Sequence, residues 1–244
     1  MGYSQEAGPA RQPMLRVPAS VITLIAVLAA AHVARVLAPG AVPEKIVNDY
    51  ALNPVVYSAQ ALKALGVTPP PSLADRVVPL FSHLFLHANF THLAVNCVWL
   101  LAFGPVVARR FGGAAFYLFF LLCGLAGAAG FIAADWGQNM GGIGASGAIS
   151  GLMGGAIRMM SIREPYLNVA NRPLESLFSR QVLSFSAIWM VVNFVSAIFL
   201  VGPIGSTQIV LWQDHLGGYI AGLLLAGPFE YFVGHAAKLR RAGA

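Results

Sequence analysis

Apolar residues in this chain come in long uninterrupted blocks, not in the alternating or one-faced patterns of water-soluble strands and helices. Six such blocks stand at about 17–38, 80–103, 114–134, 145–160, 183–202 and 212–233. Each is near or somewhat below the ~20 residues a helix needs to cross hydrocarbon, and the fourth is clearly the shortest. The pattern predicts an all-α polytopic membrane protein, a bundle of six transmembrane helices with a short fourth helix. Its organisation would be a tail over 1–16, the helical bundle over 17–233 and a basic tail over 234–244. Small residues from Ala29 to Ala34 resemble a signal-peptide cleavage site, but the block opens a series of spans and reads as a signal anchor.

Composition supports lipid as the solvent. The 244 residues are 57% hydrophobic and 10% charged, against roughly 25% charged in ordinary soluble domains, and the mean hydropathy is +0.70. So little charge cannot cover a water-soluble globule of this size. Disorder, a collagen-like chain and a disulfide scaffold are excluded. Cys97 and Cys123 both lie inside apolar blocks, with neither a CxxC pair nor a zinc quartet.

The net charge of +6 comes from basic residues spread thinly, which argues against nucleic acid as a partner. Their placement instead orients the chain. Arg11, Arg16, Arg109, Arg110, Arg158, Arg163, Arg172, Arg180, Lys238, Arg240 and Arg241 fall on one side, and only Arg35, Lys45, Lys63 and Arg76 on the other. The positive-inside rule then puts both termini in the cytoplasm, with the second, fourth and sixth blocks running inward from the extracytoplasmic face. The segment from about 39 to 79, with helical patterning around Pro54 to Leu65, becomes the largest extracytoplasmic piece.

Polar residues at membrane depth are costly, so they direct the search for chemistry. The second block contains His83, His87, His92 and Asn96. His92 and Asn96 are four apart, which places them on one helical face about 6 Å apart along the axis. The fourth block opens Gly141-Gly-Ile-Gly144-Ala-Ser146-Gly147, putting a hydroxyl where glycine-rich chain meets a helix N-terminus. Unpaired backbone N–H groups and the positive end of the dipole there suit a developing oxyanion. The sixth block opens Asp214-His215-Leu-Gly217-Gly218 and supplies a base at the same depth.

Small residues recur every four positions at Gly147, Gly151 and Gly155, and again at Gly218, Gly222 and Ala226. Such faces let helix backbones approach closely, which would bring Ser146 beside His215. A serine becomes nucleophilic when a neutral imidazole takes its proton. Asp214 is a poor third member, because neighbouring helical residues point about 100° apart.

The motifs His87-x4-His92-x3-Asn96, Gly144-x-Ser146-Gly147 and His215-x-Gly-Gly-x3-Gly222 together resemble the rhomboid intramembrane serine proteases in their minimal six-span form. The resemblance covers nearly the whole chain from the first block to the sixth. It implies Ser146 as nucleophile and His215 as general base, with His92, Asn96 and the Ser146 backbone N–H as the oxyanion hole. His87, Gly144 and Gly147 would shape the site. It also implies cleavage of single-span transmembrane substrates near the extracytoplasmic face, with membrane lipid as surroundings, no cofactor and no metal. A bacterial cytoplasmic membrane is the expected location.

The chain departs from the family pattern in three places. Val77-Val-Pro-Leu80 stands where many members carry a Trp-Arg pair, and Ala108 where many carry Glu. Ser150 occupies the position of an aromatic that packs on the catalytic imidazole, so that the pattern leaves the orientation of His215 unexplained. Asn193, in mid-span five, reads either as interhelical glue or as part of a water-accessible wall.

Three rival functions come from other classes. A histidine site for zinc or haem at His83, His87 and His92 would lack the Glu of an HExxH motif. A transporter would carry matching halves and charges deep in its spans. A catalytically inactive rhomboid-like protein that retains membrane clients would generally have lost Ser or His, and this chain keeps both.

Overall fold

The structure, a computed structural model, describes residues 17–160, 173–199 and 211–242, with side chains through residue 196 in the second stretch and residue 233 in the third. Among the described residues the regular structure is helical. The helices are α1 (Ala19–Leu37), α2 (Val42–Tyr50), α3 (Ala59–Ala64), α4 (Leu73–Val77), α5 (Pro79–Ser82), α6 (Phe90–Phe111), α7 (Gly113–Ala134), α8 (Ser146–Met159), α9 (Arg180–Phe199) and α10 (Trp212–Ala242), with 3-10 turns at Pro54–Tyr57 and His83–Phe85.

Helices α1, α6, α7 and the Trp212–Val233 part of α10 are each long and apolar enough to cross a membrane. Helix α9 is a fifth, 20-residue apolar helix. Helix α8 has 14 residues, about 21 Å of rise, and so is shorter than the ~30 Å hydrocarbon core. Apart from Ser146 and Arg158 its residues are buried, enclosed mainly by α6, α7 and α10.

Two boundaries differ from the apolar pattern. The second block, expected to be helical from about residue 80, becomes the membrane helix only at Phe90. The preceding stretch folds as α5, a 3-10 turn and extended chain. Asn89 sets the boundary, because its side chain accepts from the His92 N–H at 2.8 Å and satisfies a donor the first turn would otherwise leave open. The sixth helix continues beyond residue 233 to Ala242, since the Ala, Lys, Leu and Arg residues there are strong helix formers. Residues 1–16, which include Arg11 and Arg16, lie outside the described residues, as do Arg163, Arg172 and the segment 200–210.

The centre of the bundle is held by backbone contact. A Cβ on Gly218 would overlap the Gly147 carbonyl, and one on Gly222 the Gly151 carbonyl. Both pairings advance together along the two helices, so α8 and α10 run parallel. Helix α7 runs antiparallel to α10, with Gly130 against Gln213 and Gly127 against Asp214. Around this layer Leu28, Leu84, Leu100, Phe116, Phe119, Phe120 and Leu152 form the fully buried core.

The 39–79 segment is docked, not dangling. Leu52 and Gly142 exchange backbone hydrogen bonds of 3.0 and 2.7 Å. Asn53 reaches Asn139 at 2.8 Å and the Met140 N–H at 3.3 Å, and Tyr57 donates to the Arg76 carbonyl at 2.6 Å. This segment therefore buttresses the chain that leads into α8.

Candidate active site

Ser146 is the first residue of α8, where backbone N–H groups are free of intrahelical partners. The chain reaches it through Gly144, whose φ of +132° is open to glycine and strained for other residues. The Gly144 N–H donates to the His83 carbonyl at 2.9 Å. A methyl placed on Gly144 would lie 2.9 Å from His92 Nε2 and 3.6 Å from Ser146 Oγ. His92 and Ser146 thus flank one spot, although they belong to different helices. Only glycine keeps that spot open.

Asn96 stands one turn after His92 on α6, is buried, and spends one Nδ2–H on the His92 carbonyl at 3.1 Å. The amide has a second N–H to offer. His83 serves the loop, with Nδ1 2.7 Å from the Pro79 carbonyl. His87 is buried with its ring 5.2 Å from that of His92 and 6.3 Å from that of His32. The cap of α6 is Asn89, and what His87 contributes through its backbone is a carbonyl that accepts from Arg35 at 2.7 Å.

His215 lies in the first turn of α10. The parallel contact through Gly147 and Gly218 sets this turn beside the first turn of α8, the end that carries Ser146. Asp214 turns away from its neighbour His215 and lies buried, its carboxylate packed against Gly147 of α8 and Gly127 of α7.

What sequence reasoning missed is the face of α9 toward His215. His215 Nδ1 is 2.7 Å from Asn193 Oδ1, and Asn193 Nδ2 donates to the Trp212 carbonyl at 3.2 Å. Trp189, one turn earlier on α9, has its ring 6.4 Å from the imidazole and tilted by 36°. Tyr219, one turn below His215, exchanges a 2.8 Å hydrogen bond with Ser186. Ser186, Trp189 and Asn193 follow a helical spacing, which was a usable signal, but periodicity alone could not name the helix they face. Ser150, at the position where an aromatic was expected, is buried in α8; the aromatic beside the imidazole comes from α9.

On the outer face of α6, Phe90, Thr91, Ala94, Val95, Val98 and Trp99 line an apolar groove of about 600 Å³. Trp99 meets Trp189 edge to face at 6.4 Å, so the groove adjoins the α6–α9 contact. No group of three or more His, Cys, Asp or Glu placed to hold a metal occurs among the described residues.

Comparison with known proteins adds an independent line. Residues 74–231 match the sequence profile of the rhomboid domain. The chain is 28% identical over 166 residues to the rhomboid protease GluP of Bacillus subtilis strain 168, covering 68% of this chain and 27% of GluP. It is 29% identical over 147 residues to the rhomboid relative YdcA of the same strain, covering 60% of this chain and 64% of YdcA. The matched region therefore spans less than two thirds of either relative. The profile match runs from α4 into α10 and takes in the serine, both oxyanion candidates and the histidine: this multi-pass membrane protein belongs to the rhomboid family.

Proposed function

We propose that the protein is an intramembrane serine endopeptidase that hydrolyses single-span transmembrane proteins near the extracytoplasmic face of a bacterial cytoplasmic membrane. The observation that carries this reading is the parallel backbone contact of α8 and α10, which aligns the turn bearing Ser146 with the turn bearing His215. The shortness of α8 supports the depth. Arg158 at its far end bonds the Glu175 and Leu223 carbonyls at 2.9 and 2.7 Å. Ser146 lies about 18 Å up the helix from there.

In this mechanism Ser146 Oγ attacks the scissile carbonyl carbon while His215 Nε2 takes its proton. The resulting oxyanion is received by the Ser146 N–H, Asn96 Nδ2–H and His92. Collapse breaks the C–N bond, and His215 returns the proton to the departing amine. Water then attacks the acyl-enzyme while His215 takes its proton, and collapse breaks the ester C–O bond, returns that proton to Ser146 Oγ and releases the second product. A substrate helix would approach across the α6 groove and the α9 side. The connection from Gly202 to Gln213 would border this entry; its residues 202–210 lie outside the described residues.

Labelling of the detergent-purified protein with a fluorophosphonate tests the reading. Wild type is expected to label, while Ser146→Ala and His215→Ala, folded normally by thermal unfolding, do not. Well-folded wild type that fails to label would overturn it in favour of a client-binding rhomboid without catalysis.

A further inference from the structure

We propose that Asn193 of α9 is a positioning residue that fixes the tautomer of His215; the inference rests on the Ser146–His215 reading and supplies the orienting group that reading lacks. The argument is one of hydrogen-bond bookkeeping. The Trp212 carbonyl can only accept. The half of the Asn193 amide that faces it, at 3.2 Å, must therefore be the NH2. Oδ1 is then the half that faces His215 Nδ1, at 2.7 Å. An amide oxygen also only accepts, so the proton of the neutral imidazole sits on Nδ1. The alternative tautomer would press two lone pairs together at that distance. Nε2, on the far edge of the ring, is consequently bare, and it is the nitrogen that must receive the serine proton. Once His215 is protonated, Nδ1–H stays with the same acceptor, so nothing has to reorganise between the two states of the base.

The surroundings make the constraint strict. Asn193 is 3% exposed, so water does not compete freely for its amide. Trp189 stands against the imidazole, and the Ser186 to Tyr219 bond holds the same α9 face to α10 one turn lower. Asp214 is packed against Gly127 and Gly147 and does not serve this purpose. The amide is neutral, so it orients the ring without burying a second charge, which at this depth would carry a heavy desolvation cost.

The test uses the full-length protein in detergent micelles with 15N-histidine. In Ser146→Ala, where the serine cannot influence the ring, the His215 resonance pair, assigned by its loss in His215→Ala, is expected to report a single Nδ1–H tautomer. Adding Asn193→Leu, which keeps most of the volume and removes the acceptor, should give a mixture of tautomers. Asn193→Asp, which keeps an acceptor, should preserve the single form. With Ser146 intact, Asn193→Leu should slow fluorophosphonate labelling roughly tenfold, the worth of one hydrogen bond, with the probe concentration for half-saturation unchanged. An unchanged tautomer in Asn193→Leu, or labelling as fast as wild type, would overturn the proposal. If wild type failed to label while the tautomer still responded as described, the dyad reading would fall and the role of Asn193 in holding the ring would stand.

Discussion

At the scale of single residues, position in a helix decides what a polar side chain can do. Asn96 and Asn193 are the same residue type, both buried at 3% exposure, yet their amides have different tasks. Asn96 spends one N–H on its own helix and has a second to offer, which suits the proposed oxyanion role. Asn193 uses both ends of its amide on two groups of α10. Asn96→Ala is therefore expected to reduce kcat about 100- to 1000-fold with little change in KM, as removal of one oxyanion donor does. Steady-state cleavage of a transmembrane reporter peptide in micelles would measure this, and an unaltered kcat would remove Asn96 from the oxyanion hole. The spacing of His92 and Asn96 was legible in the sequence because it is a local helical relation. The pairing of Asn193 with His215 was not, because it joins two helices with no local signal between them.

Helices α8 and α10 owe their contact to the absence of side chains. Gly222 has the Gly151 carbonyl where its Cβ would be, whereas the nearest atom to a Cβ on Gly227 is 4.0 Å away, at Arg158 Nη1. Gly222→Ala should cost about 1–3 kcal/mol through overpacking. It lies two turns from His215, so the loss is expected first as a lower thermal midpoint and then as slower probe labelling. Gly227→Ala has room and gains helix propensity, so it should leave the midpoint equal or raised. Thermal unfolding of both variants in one detergent decides the matter, and equal midpoints for Gly222→Ala and wild type would contradict the packing. The four-residue glycine rhythm was readable in advance. Which faces meet, and that α7 joins them through Gly127 and Gly130, required the folded helices.

The whole molecule is a bundle whose outside is apolar and whose polar groups converge inward. Leu183, Ile188, Val191 and Phe194 on α9 and Leu118 on α7 are more than half exposed, a surface suited to lipid and not to water. The positive-inside rule predicts that the 39–79 segment lies outside. In intact bacteria, a membrane-impermeant maleimide should therefore label Gln60→Cys, while Phe178→Cys, on the connection before α9, should label only after permeabilisation. The opposite pattern would invert the topology and move the site to the cytoplasmic side.

The sequence by itself determined the helical membrane class and the short fourth helix, and it singled out Ser146, His215, His92 and Asn96 as the candidate site residues. These rest on composition and local spacing, which every stretch of chain carries with it. It also showed that an aromatic neighbour for His215 was missing from α8. Only the tertiary structure decided that α9 fills that gap with Trp189 and Asn193, and that Asp214 packs against Gly147 of α8. Each of these depends on which groups meet across helices. That choice is set by how the glycine faces pack, and no local pattern records it.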